Sequence, residues 1–174
     1  ATSYFTYDGA SNLVTMTDAQ GGVWVYAYDA LGNEIAQTDP LGATTKKTYD
    51  SRGRLSSETD ATGAKTSYVY DGLSRKISET NPQGGTTTYK YIGSGENPIL
   101  VSDPVGNSTI YTYDANGNTL TVTDEEGYVV SYVYDKDGRM TLLTNARGFK
   151  TTYSYDKVGN LVKVTKAMDG VTDY

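Results

Sequence analysis

The repeating unit of this chain is clearest in residues 28–50, which read YDALGNEIAQTDPLGATTKKTYD. The Tyr-Asp pair that opens this stretch recurs every 21 residues, at Tyr7-Asp8, Tyr28-Asp29, Tyr49-Asp50, Tyr70-Asp71, Tyr113-Asp114, Tyr134-Asp135 and Tyr155-Asp156. Tyr91-Ile92 fills the one gap, and the interval from Tyr91 to Tyr113 is 22 residues. A period held over the full length predicts a repeat architecture in which each unit packs mainly on its neighbours. Function is therefore expected in the assembled surface.

Two turn signals of the form Asp-x-x-Gly occur in each repeat, about ten residues apart, and Asn takes the first position in two of them. A type I turn favours Asp or Asn first, tolerates Pro second and favours Gly fourth. Gly at that place also adopts the left-handed backbone of a bulged hairpin at little cost, although Ser11 and Ser74 replace it in two turns. The glycines predicted to form structural turns are Gly32, Gly42, Gly53, Gly63, Gly84, Gly106, Gly117, Gly127, Gly138, Gly148 and Gly159.

Segments of six or seven residues separate the turns, which is long enough for β-strands. Tyrosines stand two apart on the first strand of most repeats, and side chains two apart share one face of a strand. We therefore expect two aromatic files, which are rows of rings that run across neighbouring hairpins. The residues assigned to these files are Trp24, Tyr26, Tyr28, Tyr68, Tyr70, Tyr89, Tyr91, Tyr111, Tyr113, Tyr132, Tyr134, Tyr153 and Tyr155.

The predicted fold class is all-β. It is an array of about eight 21-residue β-hairpin repeats, forming a curved or spiralling, solenoid-like β-sheet. Burial is expected to be thin, because the face shared by Leu55, Ser57 and Thr59 is not cleanly apolar. Residues 1–174 are expected to form a single array, with an irregular repeat around 91–103 and a truncated repeat at the C-terminus.

The sequence resembles the RHS/YD-repeat family over essentially its whole length. The resemblance rests on the strings Tyr-Asp-x-x-Gly-Asn and Tyr-Asp-x-x-Gly-Arg, as in residues 28–33, 49–54, 113–118, 134–139 and 155–160. Members of this family include bacterial polymorphic toxins, wall-associated proteins and animal teneurins. The resemblance implies hairpins that spiral into a β-shell, and in the toxins that shell encloses a C-terminal toxic domain.

Several chemistries are excluded by composition. The chain has no His and no Cys, so it offers no imidazole base, thiolate nucleophile or disulfide. Its net charge is -6 and its basic residues are scattered, which argues against nucleic acid as a partner. No apolar run approaches the length of a membrane span. We expect no catalytic residues, no metal site, no cofactor and no enzymatic activity.

Three features have alternative interpretations. The turn carboxylates could bind calcium, but each turn offers only one or two of the converging oxygens that a calcium loop needs, so turn capping is favoured. Trp24 could stack on a sugar, although filling the space between repeats is the commoner use of such a ring. The irregular stretch from Tyr91 to Pro98 could present a binding loop, but a drifted repeat explains it more simply.

Two classes of function remain open on these grounds. The first is a structural scaffold, either a wall segment of a larger β-shell in an RHS-type toxin or surface protein, or an extracellular subunit that assembles edge to edge into filaments. The alternative is an adhesion module that binds glycans or a receptor through the aromatic face. The expected partners are further YD repeats, of the same chain or of another copy, together with glycans or an enclosed toxin domain. The expected location is extracellular or at the cell surface.

Neither end of the sequence shows a capping element. Tyr174 stands 21 residues after Tyr153, so the sequence stops inside a strand of a ninth unit. An open strand edge offers unpaired backbone groups to a partner strand. Residues Val171 to Tyr174 are therefore expected to support edge pairing.

Overall fold

The computed structural model describes residues 2–167, and this part of the chain contains sixteen β-strands and no helix. The strands are β1 (Tyr4–Tyr7), β2 (Leu13–Thr17), β3 (Val23–Tyr28), β4 (Glu34–Thr38), β5 (Thr44–Tyr49), β6 (Leu55–Thr59), β7 (Lys65–Tyr70), β8 (Lys76–Thr80), β9 (Thr86–Lys90), β10 (Leu100–Ser102), β11 (Ser108–Tyr113), β12 (Thr119–Thr123), β13 (Val129–Tyr134), β14 (Met140–Thr144), β15 (Lys150–Tyr155) and β16 (Leu161–Lys166). The residues expected to support edge pairing, Val171 to Tyr174, and the truncated last repeat lie outside the described residues.

The strands belong to two compact units, whose boundary lies between Thr86 and Thr87, inside β9. In the first unit β1 to β8 follow one another in sequence order, and each is antiparallel to the next. The second unit repeats this arrangement from β9 to β16. The predicted all-β array of antiparallel hairpins is confirmed, and the expectation that residues 1–174 form a single array stays a prediction.

Each hairpin turn closes with the same pair of backbone bonds. In the turn after β3, the amide of Gly32 donates to the carbonyl of Asp29 over 3.1 Å, and the amide of Asp29 donates to the carbonyl of Asn33 over 2.9 Å. The first bond closes a type I turn, and Gly32 at φ +83° then returns the chain to the strand direction. This is the bulged hairpin in which Gly accepts a backbone conformation that other residues resist.

A second irregularity lies opposite the tyrosine of each Tyr-Asp pair. In the hairpin of β3 and β4, Ala27 faces Ala36 while Tyr28 faces Glu34, so Ile35 is an extra residue in β4. The same shift of one residue occurs at Tyr7, Tyr49, Tyr70, Tyr113, Tyr134 and Tyr155. A bulge of this kind bends its strand and increases the local twist. The sequence pattern did not predict it.

Few side chains are fully buried on either face of the strands. Along β3 the side chains alternate, so that Trp24, Tyr26 and Tyr28 are half-buried while Val23 and Val25 are 44% and 45% exposed. Within the described residues no hydrophobic side chain is fully buried. Stability must therefore come from backbone ladders, half-buried rings and cross-strand hydroxyl pairs such as Thr38 with Thr44, 2.9 Å apart.

The irregular repeat keeps its strands in order. Between β9 and β10 a loop replaces the usual turn and closes where the amide of Ile99 donates to the carbonyl of Lys90 over 2.7 Å. β10 then pairs with β9 and β11 without a shift, although it has only three residues. The extra residue is therefore absorbed within the loop.

Candidate functional site

The candidate functional contacts of each unit repeat from hairpin to hairpin. The first group of these contacts is made by the aspartate carboxylates of the turns. Asp29 Oδ1 accepts hydrogen bonds from the amides of Leu31 and Asn33, both over 2.9 Å, and Oδ2 accepts one from Asn33 Nδ2 over 2.8 Å. The hydrogen bonds from the side chain and the amide of Asn33 hold the pKa of Asp29 below its ordinary value. Both carboxylate oxygens are therefore already used within the turn.

The same effect recurs at the other Tyr-Asp turns. The pKa is lowered by hydrogen bonds at Asp8, Asp29, Asp50, Asp71, Asp114, Asp135 and Asp156. In most of these turns the largest cause is the side chain of the fifth residue, which is Asn33 beside Asp29 and Arg54 beside Asp50. No group of three or more acidic side chains suited to a metal ion occurs in the part of the chain that the structure describes.

Five tyrosine hydroxyls link a hairpin to the one before it. In β3 the hydroxyl of Tyr28 donates to the carbonyl of Leu13 over 2.9 Å, and that carbonyl belongs to the first residue of β2. Four further tyrosines make the same bond to a carbonyl 15 residues earlier, namely Tyr49 to Glu34, Tyr70 to Leu55, Tyr113 to Pro98 and Tyr155 to Met140, at 2.8 to 3.0 Å. We call this bond the tyrosine clamp. Burial raises the pKa of Tyr28 and Tyr113, as expected for phenols held between hairpins.

Arginine at the fifth turn position connects a hairpin to the next one. Arg54 Nε donates to Asp50 Oδ2 over 2.7 Å, and Arg54 Nη1 donates to the carbonyl of Asp71 over 2.9 Å. Its guanidinium carbon also lies 4.8 Å from the centre of the Tyr70 ring. A planar guanidinium can satisfy a carboxylate, a carbonyl and a ring face together, so one side chain joins two turns.

Arg139 makes the carboxylate and ring contacts of this arrangement in the second unit. Its Nε donates to Asp135 Oδ2 over 2.7 Å, and its guanidinium carbon lies 5.1 Å from the centre of the Tyr155 ring. In the irregular repeat, Asn97 Nδ2 reaches the carbonyl of Gly117 over 3.3 Å, while Pro98 supplies the carbonyl for the clamp of Tyr113. The loop therefore retains the contacts of a regular repeat toward the next one.

The structure places the predicted turn glycines at the fourth position of their turns. All of them have φ between +76° and +98°, and the residues concerned are Gly32, Gly42, Gly53, Gly63, Gly84, Gly106, Gly117, Gly127, Gly138, Gly148 and Gly159. Gly21 at +88° completes the set in the first unit. Ser11 and Ser74 adopt +68° and +67°, so two serines accept the same left-handed conformation.

The residues assigned to the aromatic files are all half-buried, and all but Tyr91 lie on a strand. One pair of rings on a single strand, Tyr111 and Tyr113, is stacked with centroids 6.4 Å apart. Trp24 on β3 is the first of these residues in the sequence, and it borders an open cleft.

Sequence reasoning missed the tyrosine clamp and the bridging arginines. A signal for the clamp was present, because the second file holds Tyr in every repeat from Tyr7 to Tyr155, whereas the first file includes Phe5 and Lys47. A position that holds Tyr in every repeat and never Phe indicates that the hydroxyl group makes a hydrogen bond. The recurrent Asn or Arg at the fifth position of the Tyr-Asp turns was the corresponding signal for the bridge.

A family model described as RHS Repeat matches the chain at residues 7–45, 49–86, 93–129, 113–150 and 134–167. These matches cover most of the sequence. The comparison with curated proteins found no match. Among the residues that the structure describes, no helix is long and apolar enough to cross a membrane.

Solved structures show the same fold. The crystal structure of TcdB2-TccC3-Cdc42 matches 97% of this chain with a TM-score of 0.78 at 16% identity, and that of TcdB2-TccC3 without its hypervariable C-terminal region matches 98% with a TM-score of 0.78 at 14% identity. The Tc holotoxin pore of Photorhabdus luminescens matches 95% with a TM-score of 0.54 at 19% identity. The chain spans 11%, 10% and 9% of these three structures, which is about a tenth of their length.

Proposed function

The chain belongs to the RHS repeat family, and on that premise we propose that it is a non-enzymatic wall segment of a larger β-shell. The parent of such a shell is an RHS-type toxin or surface protein that acts outside the cell that makes it. The partners of this segment are further RHS repeats of the parent chain, and the shell surrounds a toxin domain.

The tyrosine clamp carries this proposal. Every clamp runs from one hairpin to the hairpin before it, and Arg54 runs from one hairpin to the hairpin after it. Contacts that repeat with the period of the sequence can continue as long as repeats are added, which is the property of a wall. Hairpins held by their neighbours need no central core, in agreement with the absence of a fully buried hydrophobic side chain among the described residues.

The comparisons add support at the level of the fold. One of the three similar structures is named as a Tc holotoxin pore, and this chain would correspond to about a tenth of each of the three. The bulge opposite each clamp tyrosine supplies a regular source of strand bending, as a closing wall requires.

Edge-to-edge filaments depend on Val171 to Tyr174, outside the described residues, and are the weaker form of the scaffold proposal. Glycan binding along whole aromatic files is disfavoured because their rings are half-buried between other side chains.

Extension of the array tests whether it builds a wall. A tandem protein is made by joining Tyr174 of one copy directly to Thr6 of the next, so that Tyr174 takes the place of Phe5 and the 21-residue period continues. A control tandem joins the copies through a flexible Gly-Ser linker, which breaks the period without removing any repeat. Several copies are joined in each case, and both proteins are imaged by electron microscopy.

We expect the in-phase tandem to give a continuous curved wall around a hollow, because each new hairpin can clamp onto the previous one. The linker control should give separate particles joined like beads. A straight rod or a flat ribbon from the in-phase tandem would contradict the shell proposal. It would favour a filament instead.

A further inference from the structure

Trp24 interrupts a series of small side chains. The corresponding position in the other repeats after it holds Thr45, Thr66, Thr87, Thr109, Val130 and Thr151. The large ring of Trp24 therefore stands beside the short side chain of Thr45 on the next hairpin. An open cleft of about 360 Å³ lies between them and is lined by Trp24, Gln37, Asp39, Thr45, Asp60 and Thr62.

The polar groups of this cleft are only partly used by the protein. Asp39 Oδ1 accepts from the amides of Leu41 and Ala43 over 2.8 and 2.9 Å, and no donor among the described residues reaches Asp39 Oδ2. Asp60 behaves in the same way, since the amide and hydroxyl of Thr62 both donate to its Oδ1. These carboxylates differ from those of the Tyr-Asp turns, where the fifth residue covers Oδ2 as Asn33 does. Two acceptor oxygens thus remain available in the cleft.

Gln37 completes the arrangement. It lies on β4, between Tyr26 of β3 and Thr45 of β5 in the strand register, and its amide supplies both a donor and an acceptor. A half-buried indole face beside a carboxamide and two carboxylate oxygens suits a ligand with an apolar face and a rim of hydroxyl groups. Pyranose rings have this construction.

We propose that the cleft beside Trp24 binds a neutral oligosaccharide. One pyranose ring packs its C–H face on the indole, and its hydroxyls donate to Asp39 Oδ2 and Asp60 Oδ2. The lining residues include no cation, and the chain carries a net charge of -6, so sulfated or uronic acid sugars are disfavoured. This binding role is separate from the structural role of the wall and does not depend on it.

Trp24 is the single tryptophan of the chain, so its fluorescence reports on this cleft alone. Cellotetraose and maltotetraose serve as neutral probes, and a heparin tetrasaccharide serves as the anionic probe. We expect a saturable change in emission with at least one neutral probe at millimolar concentration and none with the heparin tetrasaccharide. Absence of a saturable change with both neutral probes, or equal binding of the anionic probe, overturns the proposal.

Variants locate the binding. Trp24→Thr installs the residue that most other repeats carry, so it is expected to fold, and it should weaken binding about tenfold or more in saturation-transfer NMR. Tyr128→Thr is the matched control, because Tyr128 is 59% exposed and does not line the cleft, and the affinity of this variant should equal that of the parent protein. Asp39→Asn provides a second probe that preserves the turn, since Asn81 accepts the equivalent amide bonds. Unchanged affinity in both cleft variants overturns the assignment.

Discussion

At the scale of single residues, the left-handed turn position allows the effect of backbone strain on stability to be measured apart from the effect of side-chain contacts. Gly148 has φ +83°, and a side chain placed there would meet no atom within 4 Å. A substitution at this glycine therefore acts on the backbone conformation and on nothing else nearby. Ser11 offers the reverse case, because a residue with a side chain already accepts φ +68°.

Gly148→Val is expected to lower the free energy of unfolding by about 1–3 kcal/mol, because a β-branched residue is strained at positive φ. Chemical denaturation measures the loss. Ser11→Gly is the matched opposite change and should raise the free energy of unfolding by about 1 kcal/mol, since it relieves a left-handed residue. If Gly148→Val unfolds at the same denaturant concentration as the parent protein, this turn does not need its glycine.

Tyr28 and Tyr26 form a matched pair on one strand. The hydroxyl of Tyr28 clamps the carbonyl of Leu13, whereas the hydroxyl of Tyr26 has no hydrogen-bond partner in residues 2–167. We expect Tyr28→Phe to cost about 0.5–1.5 kcal/mol, the usual contribution of one hydrogen bond, and Tyr26→Phe to be close to neutral. Thermal and chemical unfolding of the two variants give the comparison. Equal effects would mean that the clamp adds nothing beyond ring packing.

At the scale of elements, the strands and turns were predictable but their register was not. Alternating tyrosines and Asp-x-x-Gly signals placed the hairpins correctly, because side-chain period and turn chemistry are local properties. The bulge at Ile35 shifts the register by one residue without any change in side-chain pattern that marks it. The recurrent Tyr marked the donor of the clamp, but its acceptor at Leu13 was hidden, since that acceptor is a backbone carbonyl of another hairpin.

The Tyr-Asp turns should make stability depend on acid. Their aspartates have lowered pKa values in the folded protein because hydrogen bonds from residues such as Asn33 favour the charged form. The resulting stabilisation is complete above the pKa of an unfolded aspartate, about 3.9, and is lost as the pH falls through the lower folded values. The melting temperature should therefore stay level down to about pH 5 and fall steeply below about pH 4.

A variant assigns this acid sensitivity to a single turn. Asp29→Asn keeps an oxygen that can accept the two amide bonds, as Asn145 does in its own turn, but it does not titrate in this range. The variant should start from a lower melting temperature at neutral pH and lose less of it on acidification. An acid profile parallel to that of the parent protein would show that Asp29 does not contribute.

At the scale of the whole molecule, the turn carboxylates determine whether the stability of the protein depends on metal ions. Asp29 and Asp114 each use both oxygens inside their turns, with Asn33 and Asn118 covering Oδ2. Removal of metal ions with EDTA should leave the melting temperature unchanged, because no ion holds these turns together. Calcium added after EDTA is the control. A rise of several degrees on adding calcium would contradict the turn-capping interpretation.

The cleft beside Trp24 shows what the sequence could and could not indicate about a site. Trp24 was recognisable as an outlier among threonines, and the period alone aligns it with Thr45. The second carboxylate oxygens of Asp39 and Asp60 were not recognised as free, because the role of the Asn or Arg at the fifth position of the Tyr-Asp turns depends on three-dimensional contacts. Ala43 and Ala64 take that position after Asp39 and Asp60, and they have no side-chain donor.

The absence of a fully buried hydrophobic side chain in the described residues has a calorimetric consequence. The heat capacity increment of unfolding arises mainly from newly hydrated apolar surface, and for ordinary globular proteins it is about 12–15 cal/mol/K per residue. A sheet whose rings are only half-covered in the folded state exposes less new apolar surface when it melts. Its heat capacity increment per residue should therefore lie below that range, and its curve of stability against temperature should be shallow. A protein with so shallow a curve would lose little of its stability between cold and warm conditions.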